Sequence, residues 1–182
     1  MNVLSRLATV ALAATVLLAA PSMAALKSGD PAPDFSAPAF MAGEPFTFKL
    51  ADALRKGPVV VYFFPAARTP GCNLEASLFS KAIDRFAAHD ATVIGVTAGN
   101  IEQLAGFSAD TETCAGKFPV AADPGAAIAM KYDAVLEGRP DMSSRTSYVI
   151  SKSGEIVLAY SDSNPNRHVA ETLAAVAALD GK

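Results

Sequence analysis

The sequence predicts an α/β domain in which a central mixed β-sheet is flanked by helices on both faces. Three observations carry this reading. The run "VVVYFF" at residues 59–64 is β-branched and aromatic without polar alternation, as expected of a strand covered on both sides. A second such run, "TVIGVT" at 92–97, follows a segment in which Leu78, Phe79, Ala82, Ile83 and Phe86 recur at spacings of three and four. The two strands therefore bracket an amphipathic helix. Finally, "TSYVIS" and "EIVLAYS" flank "KSG" at 152–154 and lead into a last helical pattern, so the order is β-α-β-α followed by β-β-α.

Taken in chain order, residues 1–24 form a signal peptide by pattern. A short n-region with Arg6 precedes the apolar "LATVALAATVLLAA", and Ser22 and Ala24 are the small residues before a cleavage point. Export is expected, in a bacterium to the periplasm, with residues 25–182 as a single domain. That domain opens on "ALKSGDPAPDFSAPAF", whose prolines and glycine exclude a helix and suggest an extended leader into a short strand "FTFKL" at 46–50. Beyond the two central strands, Asn100 is placed to cap a short helix through Phe107, and Asp123 precedes Pro124 in the capping arrangement. Gly154 supplies the positive φ that a tight hairpin needs. Asn164 and Pro165 repeat the capping pattern, and Val169, Leu173 and Val176 then share one face of the last helix. Met130 is expected in the core and Met142 in a loop. No repeat or low-complexity stretch follows residue 25.

The chain has 182 residues, 51% of them hydrophobic, enough for one sizeable core. A formal charge of −3 with scattered Lys and Arg argues against nucleic-acid partners. His89 and His168 stand at no metal-ligand spacing, so neither a metal centre nor a Cys–His hydrolase is expected.

Cys72 and Cys114 are the two cysteines. In an exported chain they read first as one structural bridge, which would stabilise by about 4 kcal/mol if unstrained. The surroundings of Cys72 suggest a second reading. Pro70 and Gly71 place it at the start of a helix, where free N–H groups and the dipole favour a thiolate and suit an incoming oxyanion. Thr69 offers a hydroxyl that can accept from a ligand oxygen or donate to the sulfur, and Pro65, lacking an N–H, can roof the pocket.

In the order Pro65-x-x-x-Thr69-x-x-Cys72, "PAARTPGC" resembles the active-site signature of the peroxiredoxin family, and "GDPAPDF" at 29–35 resembles that family's opening. The resemblance extends over residues 27 to 178, and "TPGCNLEAS" is most similar to the Q-type branch, named after bacterioferritin-comigratory protein. It implies a thioredoxin-like fold and a thiol peroxidase acting on hydrogen peroxide or alkyl hydroperoxides, without metal or organic cofactor. Cys72 would be the peroxidatic residue, with Pro65 and Thr69 in its pocket. Arg145, in "SSRTSYVI", would supply the family's arginine, whose planar fork suits a thiolate and a peroxide oxygen. Glu75, one turn after Cys72, would orient Arg145 or else face the helix dipole from solvent, and Arg68 would sit at the rim. In this branch a resolving cysteine often stands five residues after the peroxidatic one, where this chain has Ser77. Cys114 is then the internal candidate, and its use would require either unwinding at the start of the helix that carries Cys72 or movement of segment 108–117, which is expected to be loosely packed. Otherwise an external thiol would act directly. The implied partners are the peroxide and an external thiol reductant, either a thioredoxin-like protein or a small thiol, for a monomer or weak dimer.

Two other exported thioredoxin-fold activities fit less well. A disulfide oxidoreductase needs Cys-x-x-Cys, and residue 75 is Glu. A copper-binding module needs Cys-x-x-x-Cys, and residue 76 is Ala. A non-catalytic module with a structural disulfide requires Cys72 to be inert.

Overall fold

The computed structural model describes residues 26–180, so the expected signal peptide lies outside the described residues. Along the chain, β1 (Ser36–Met41) and β2 (Glu44–Lys49) form a hairpin that runs into α1 (Leu50–Leu54). Next come β3 (Val59–Phe63), α2 (Pro70–Ala87) and β4 (Thr92–Thr97), the expected β-α-β unit. A 3-10 turn leads to α3 (Leu104–Ala109), followed by β5 (Val120–Ala122) and α4 (Ala127–Lys131). A two-stranded ribbon, β6 (Val135–Leu136) with β7 (Arg139–Ser143), precedes β8 (Thr146–Ile150), β9 (Ile156–Ser161) and α5 (His168–Ala177).

Seven strands make one sheet in the order β2-β1-β5-β4-β3-β8-β9. β3 runs parallel to β4 and antiparallel to β8, so the sheet is mixed. Its most apolar strands are central because only there are both faces covered. The two-residue alternation of β3 then divides the core. Val59, Val61 and Phe63 pack with Leu50, Ile128 and Tyr132 beneath α1 and α4. Val60 and Tyr62, with Phe64 just beyond the strand, pack with Phe79, Phe107 and Leu173 beneath α2, α3 and α5. Among the described residues no helix is long and apolar enough to cross a membrane.

Several local expectations are corrected. The supposed extended leader contains a strand, β1, with Ala37 and Ala39 buried and Ser36 and Pro38 exposed. Pro38 stands opposite Thr47 of β2, and on the other side pairing with β5 begins only at Ala39 and Phe40, so no β5 ladder bond needs its missing N–H. Asn100 adopts φ 54° and gives no side-chain cap; its amide donates instead to the Ala67 carbonyl at 2.8 Å. Asp123 caps α4 rather than the 3-10 turn at Pro124, accepting from the Ile128 and Ala129 amides, each at 2.8 Å. Met130 lies on the solvent side of α4, 51% exposed, and Met142 lies in β7. Gly154 does take a positive φ, 86°, and Asn164 accepts from the Asn166 amide.

Candidate active site

Where β3 ends, the chain must turn over the sheet edge into α2, and β4 anchors that turn. Ala67 N–H donates to the Gly99 carbonyl at 3.3 Å, and the Thr97 hydroxyl donates to the Pro65 carbonyl at 3.1 Å. Gly99 is required here, since a Cβ would stand 2.3 Å from the Pro65 oxygen. Thr69 takes the extended N-cap conformation and Pro70 the first helical position, so α2 starts as its sequence dictates. The Thr69 hydroxyl donates to the Ala66 carbonyl at 3.0 Å, which commits its proton to the loop and leaves its lone pairs as acceptors. Of the two roles expected for it, acceptance from a ligand is the one this geometry leaves open.

Cys72 follows in the first turn of α2, 2% exposed, among amides that have no partner within the helix. Arg145, just before β8, reaches it across the sheet. Nη2 donates to Cys72 Sγ at 3.5 Å, Nη1 donates to Glu75 Oε2, and Nε donates to the Ser163 carbonyl at 3.0 Å. Each edge of the guanidinium is therefore engaged. Burial opposes the charge on Arg145, yet Glu75 and Cys72 outweigh it and hold the guanidinium above its ordinary pKa.

Glu75 points inward rather than to solvent. Its side chain is fully buried, and burial pushes its carboxyl up to about 8 against the pull of Arg145. Behind it lies His168, the first residue of α5, with Nδ1 3.7 Å from Glu75 Oε1. His168 also meets the Ser147 hydroxyl through Nδ1 at 2.8 Å and the Asp162 carbonyl through Nε2 at 2.9 Å. Tyr62 is the other group that sequence spacing did not single out. Its hydroxyl is buried without a partner, and burial, then Cys114, Glu75 and Cys72, hold it well above its ordinary pKa.

Gly71 admits the arginine: a Cβ there would lie 3.1 Å from Arg145 Nη2. Gly71→Ala is expected to displace the guanidinium by a few tenths of an ångström and slow oxidation of Cys72 by about tenfold, as small misplacements at reacting centres do. Stopped-flow oxidation of the folded variant measures this, and an unchanged rate would separate Arg145 placement from Cys72 reactivity.

Cys114 stands apart from this group. Both thiols are free, and Cys114 is fully buried in the apolar cluster that also contains Cys72. Burial pushes its pKa up strongly. The segment 108–117 is not loosely packed as expected. The Thr113 hydroxyl donates to the Phe107 carbonyl at 2.6 Å, Gly116 N–H to the Ser108 carbonyl at 2.8 Å, and Lys117 to the Ser80 carbonyl at 3.2 Å. Left-handed conformations at Ala115 and Gly116 let this polar stretch wind into turns that aim Thr113 and Cys114 inward. Arg68, the expected rim residue, pairs with Asp110 of the same segment and lies over the Phe107 ring.

Among the described residues no group of three His, Cys, Asp or Glu side chains could hold a metal ion. A cleft of about 400 Å³, lined by Phe46, Phe48, Ile83 and Phe118, lies near the amino-terminal end of β4, opposite the end that carries Cys72.

Residues 28–159 match the AhpC/TSA family. The chain is 30% identical over 117 residues to the chloroplastic peroxiredoxin Q of Sedum lineare, a match covering 64% of this chain and 61% of that protein. The match to peroxiredoxin Q of Populus jackii covers 54% of that relative, so the chain spans little more than half the length of these plant proteins. Peroxidoxin BcpB from Mycobacterium tuberculosis superposes with a TM-score of 0.73 at 27% identity, covering 85% of this chain and 98% of that one. A reduced 2-Cys peroxiredoxin of Plasmodium vivax shares the fold with a TM-score of 0.75 at 20% identity, covering 86% of this chain and 98% of that one.

Proposed function

Because the chain belongs to the AhpC/TSA family and its relatives include Q-type peroxiredoxins, we propose that it is an exported thiol peroxidase whose nucleophile is Cys72. The observation that carries this reading is the Cys72 sulfur at the start of α2 with Arg145 Nη2 at 3.5 Å. The Cys72 thiolate attacks one peroxide oxygen and the O–O bond breaks. The departing oxygen takes a proton to become water or an alcohol, while the sulfur is left as sulfenic acid. Arg145 and the first-turn amides of α2 hold the charge that develops on the departing oxygen, and Thr69 can accept from the peroxide O–H. The cycle uses no metal or organic cofactor. Residues 1–24 direct the chain to the periplasm.

Cys114 then condenses with the sulfenic acid, releasing water and forming a disulfide that an external thiol reduces. Its burial makes this step conditional on opening of the turns that hold Thr113 and Cys114. That same burial favours a second reading, in which the external thiol attacks Cys72 directly. Adding one equivalent of peroxide to the reduced protein, then trapping and digesting it, tests both. Loss of the peroxide with a Cys72–Cys114 peptide supports the resolving role. Loss with Cys72 sulfenic acid and Cys114 still alkylatable after denaturation supports the one-cysteine cycle, and no loss of peroxide rejects the peroxidase reading.

A further inference from the structure

We propose that Glu75 and His168 hold one proton between them, and that this buried pair sets how much of the Arg145 charge is directed at Cys72. His168 is then a positioning residue acting through Glu75 and Arg145. Its consequence for catalysis rests on the peroxidase reading.

The hydrogen bonds determine the tautomer. The Asp162 carbonyl can only accept, so the His168 nitrogen 2.9 Å away, Nε2, carries the hydrogen. In the neutral ring Nδ1 is then a lone pair, and the Ser147 hydroxyl at 2.8 Å donates to it. Glu75 Oε1, fully buried and without a hydrogen-bond partner, faces the same nitrogen at 3.7 Å. An ionised carboxylate would oppose a lone pair at 3.7 Å with no protein donor on Oε1, an arrangement that costs a buried charge its compensation. One proton resolves it.

That proton has two possible seats. On Nδ1 it would make an imidazolium at the amino end of α5, in the field of Arg145, and both disfavour a cation. On Glu75 Oε1 it removes the negative charge facing the Nδ1 lone pair, which already accepts from Ser147, and leaves Oε2 to accept from Arg145. Burial acts in the same direction, raising the affinity of Glu75 for a proton and lowering that of His168. With Glu75 neutral, a Cys72 thiolate is the anion that Arg145 meets. With Glu75 ionised, a second anion competes for the guanidinium and repels the thiolate.

The other titratable groups around the pair do not supply the missing partner. Tyr62 on β3 has its hydroxyl buried without a hydrogen bond. Tyr160 on β9 presents its ring edge-on to His168, 4.9 Å between centroids, while its hydroxyl donates to the Asp162 carboxylate at 3.0 Å. Arg167 lies over the Tyr160 ring and pairs with Glu171.

Nitrogen-15 NMR of His168 in the reduced full chain is expected to show Nε2–H, with Nδ1 as a hydrogen-bond acceptor, at neutral pH; an Nδ1–H ring would overturn the proposal. Alkylation of Cys72, followed site-specifically against pH, is expected to show an alkaline step beyond the ionisation of the thiol itself, and Glu75→Gln should remove it. Folded His168→Asn should move that step down by about one pH unit, a tenfold change in proton affinity. Ser147→Ala should move it up, because Nδ1 is released to Glu75 alone. Opposite shifts are not expected of two merely structural residues. A step that stays in place in both variants, or survives Glu75→Gln, would refute the proton pair. Neither measurement uses peroxide, so a protein that fails to reduce peroxide would lose the peroxidase reading and keep this one.

Discussion

Cys72→Ser is expected to reduce peroxide consumption to background while the protein remains folded. The substitution replaces a sulfur that is 2% exposed with a smaller hydroxyl in the same first turn of α2, and that hydroxyl can still accept from Arg145 Nη2. Packing and the hydrogen bond from Arg145 are therefore largely kept, while the charge that a thiolate sets against the guanidinium is lost. Chemistry changes completely, because a serine hydroxyl is not appreciably ionised near neutral pH, and among the described residues the side chain hydrogen-bonded to this position, Arg145, is a cation rather than a base. Cys114 cannot substitute while fully buried with its ionisation suppressed. Hydrogen peroxide loss and circular dichroism on the same sample check the result. Consumption at the wild-type rate by a folded variant would remove Cys72 from the mechanism.

Arg145→Ala is expected to slow Cys72 oxidation by about 10²-fold or more, comparable to the loss of one oxyanion donor. The same change strips Glu75 of its charged partner in a fully buried position. Breaking a buried ion pair from one side destabilises by about 3–5 kcal/mol, although Glu75 can limit the cost by staying protonated. The double variant Arg145→Ala with Glu75→Gln should therefore recover stability in denaturant without recovering rate. Arg145→Lys keeps a positive charge but cannot reach Cys72, Glu75 and the Ser163 carbonyl together, so its rate should fall between wild type and alanine. If Arg145→Ala slowed oxidation only a few-fold, its part in the chemistry would be rejected and its role reduced to pairing with Glu75.

The ends of β3 and α2 show how far the chain could be read without a structure. Val59 to Phe64 offers no polar face, and Thr69-Pro70 can hardly do other than begin a helix, so the position of Cys72 followed from local preferences. Arg145 was recognisable only through resemblance to a family, because nothing in "SSRTSYVI" says which strand it will adjoin. β8 pairs with β3, and that pairing carries Arg145 to the amino end of α2.

The sequence by itself determined the sheet's central strands, the amphipathic helix between them, the hairpin at Gly154 and the helix start at Pro70 that puts Cys72 in the first turn. These depend on side-chain periodicity and on backbone preferences within a few neighbouring residues. Tertiary structure alone decided that Pro38 could stand in a strand, that Glu75 would turn inward, that residues 108–117 would be held by closely hydrogen-bonded turns, and that His168 would lie behind Glu75. Each of these depends on what another element places next to the residue. Pro38 needs only a neighbour that does not ask for its N–H. The proton affinities of Glu75 and His168 depend on how completely α2, β8 and α5 exclude water between them, and desolvation of that kind belongs to the packed interior rather than to any spacing along the chain.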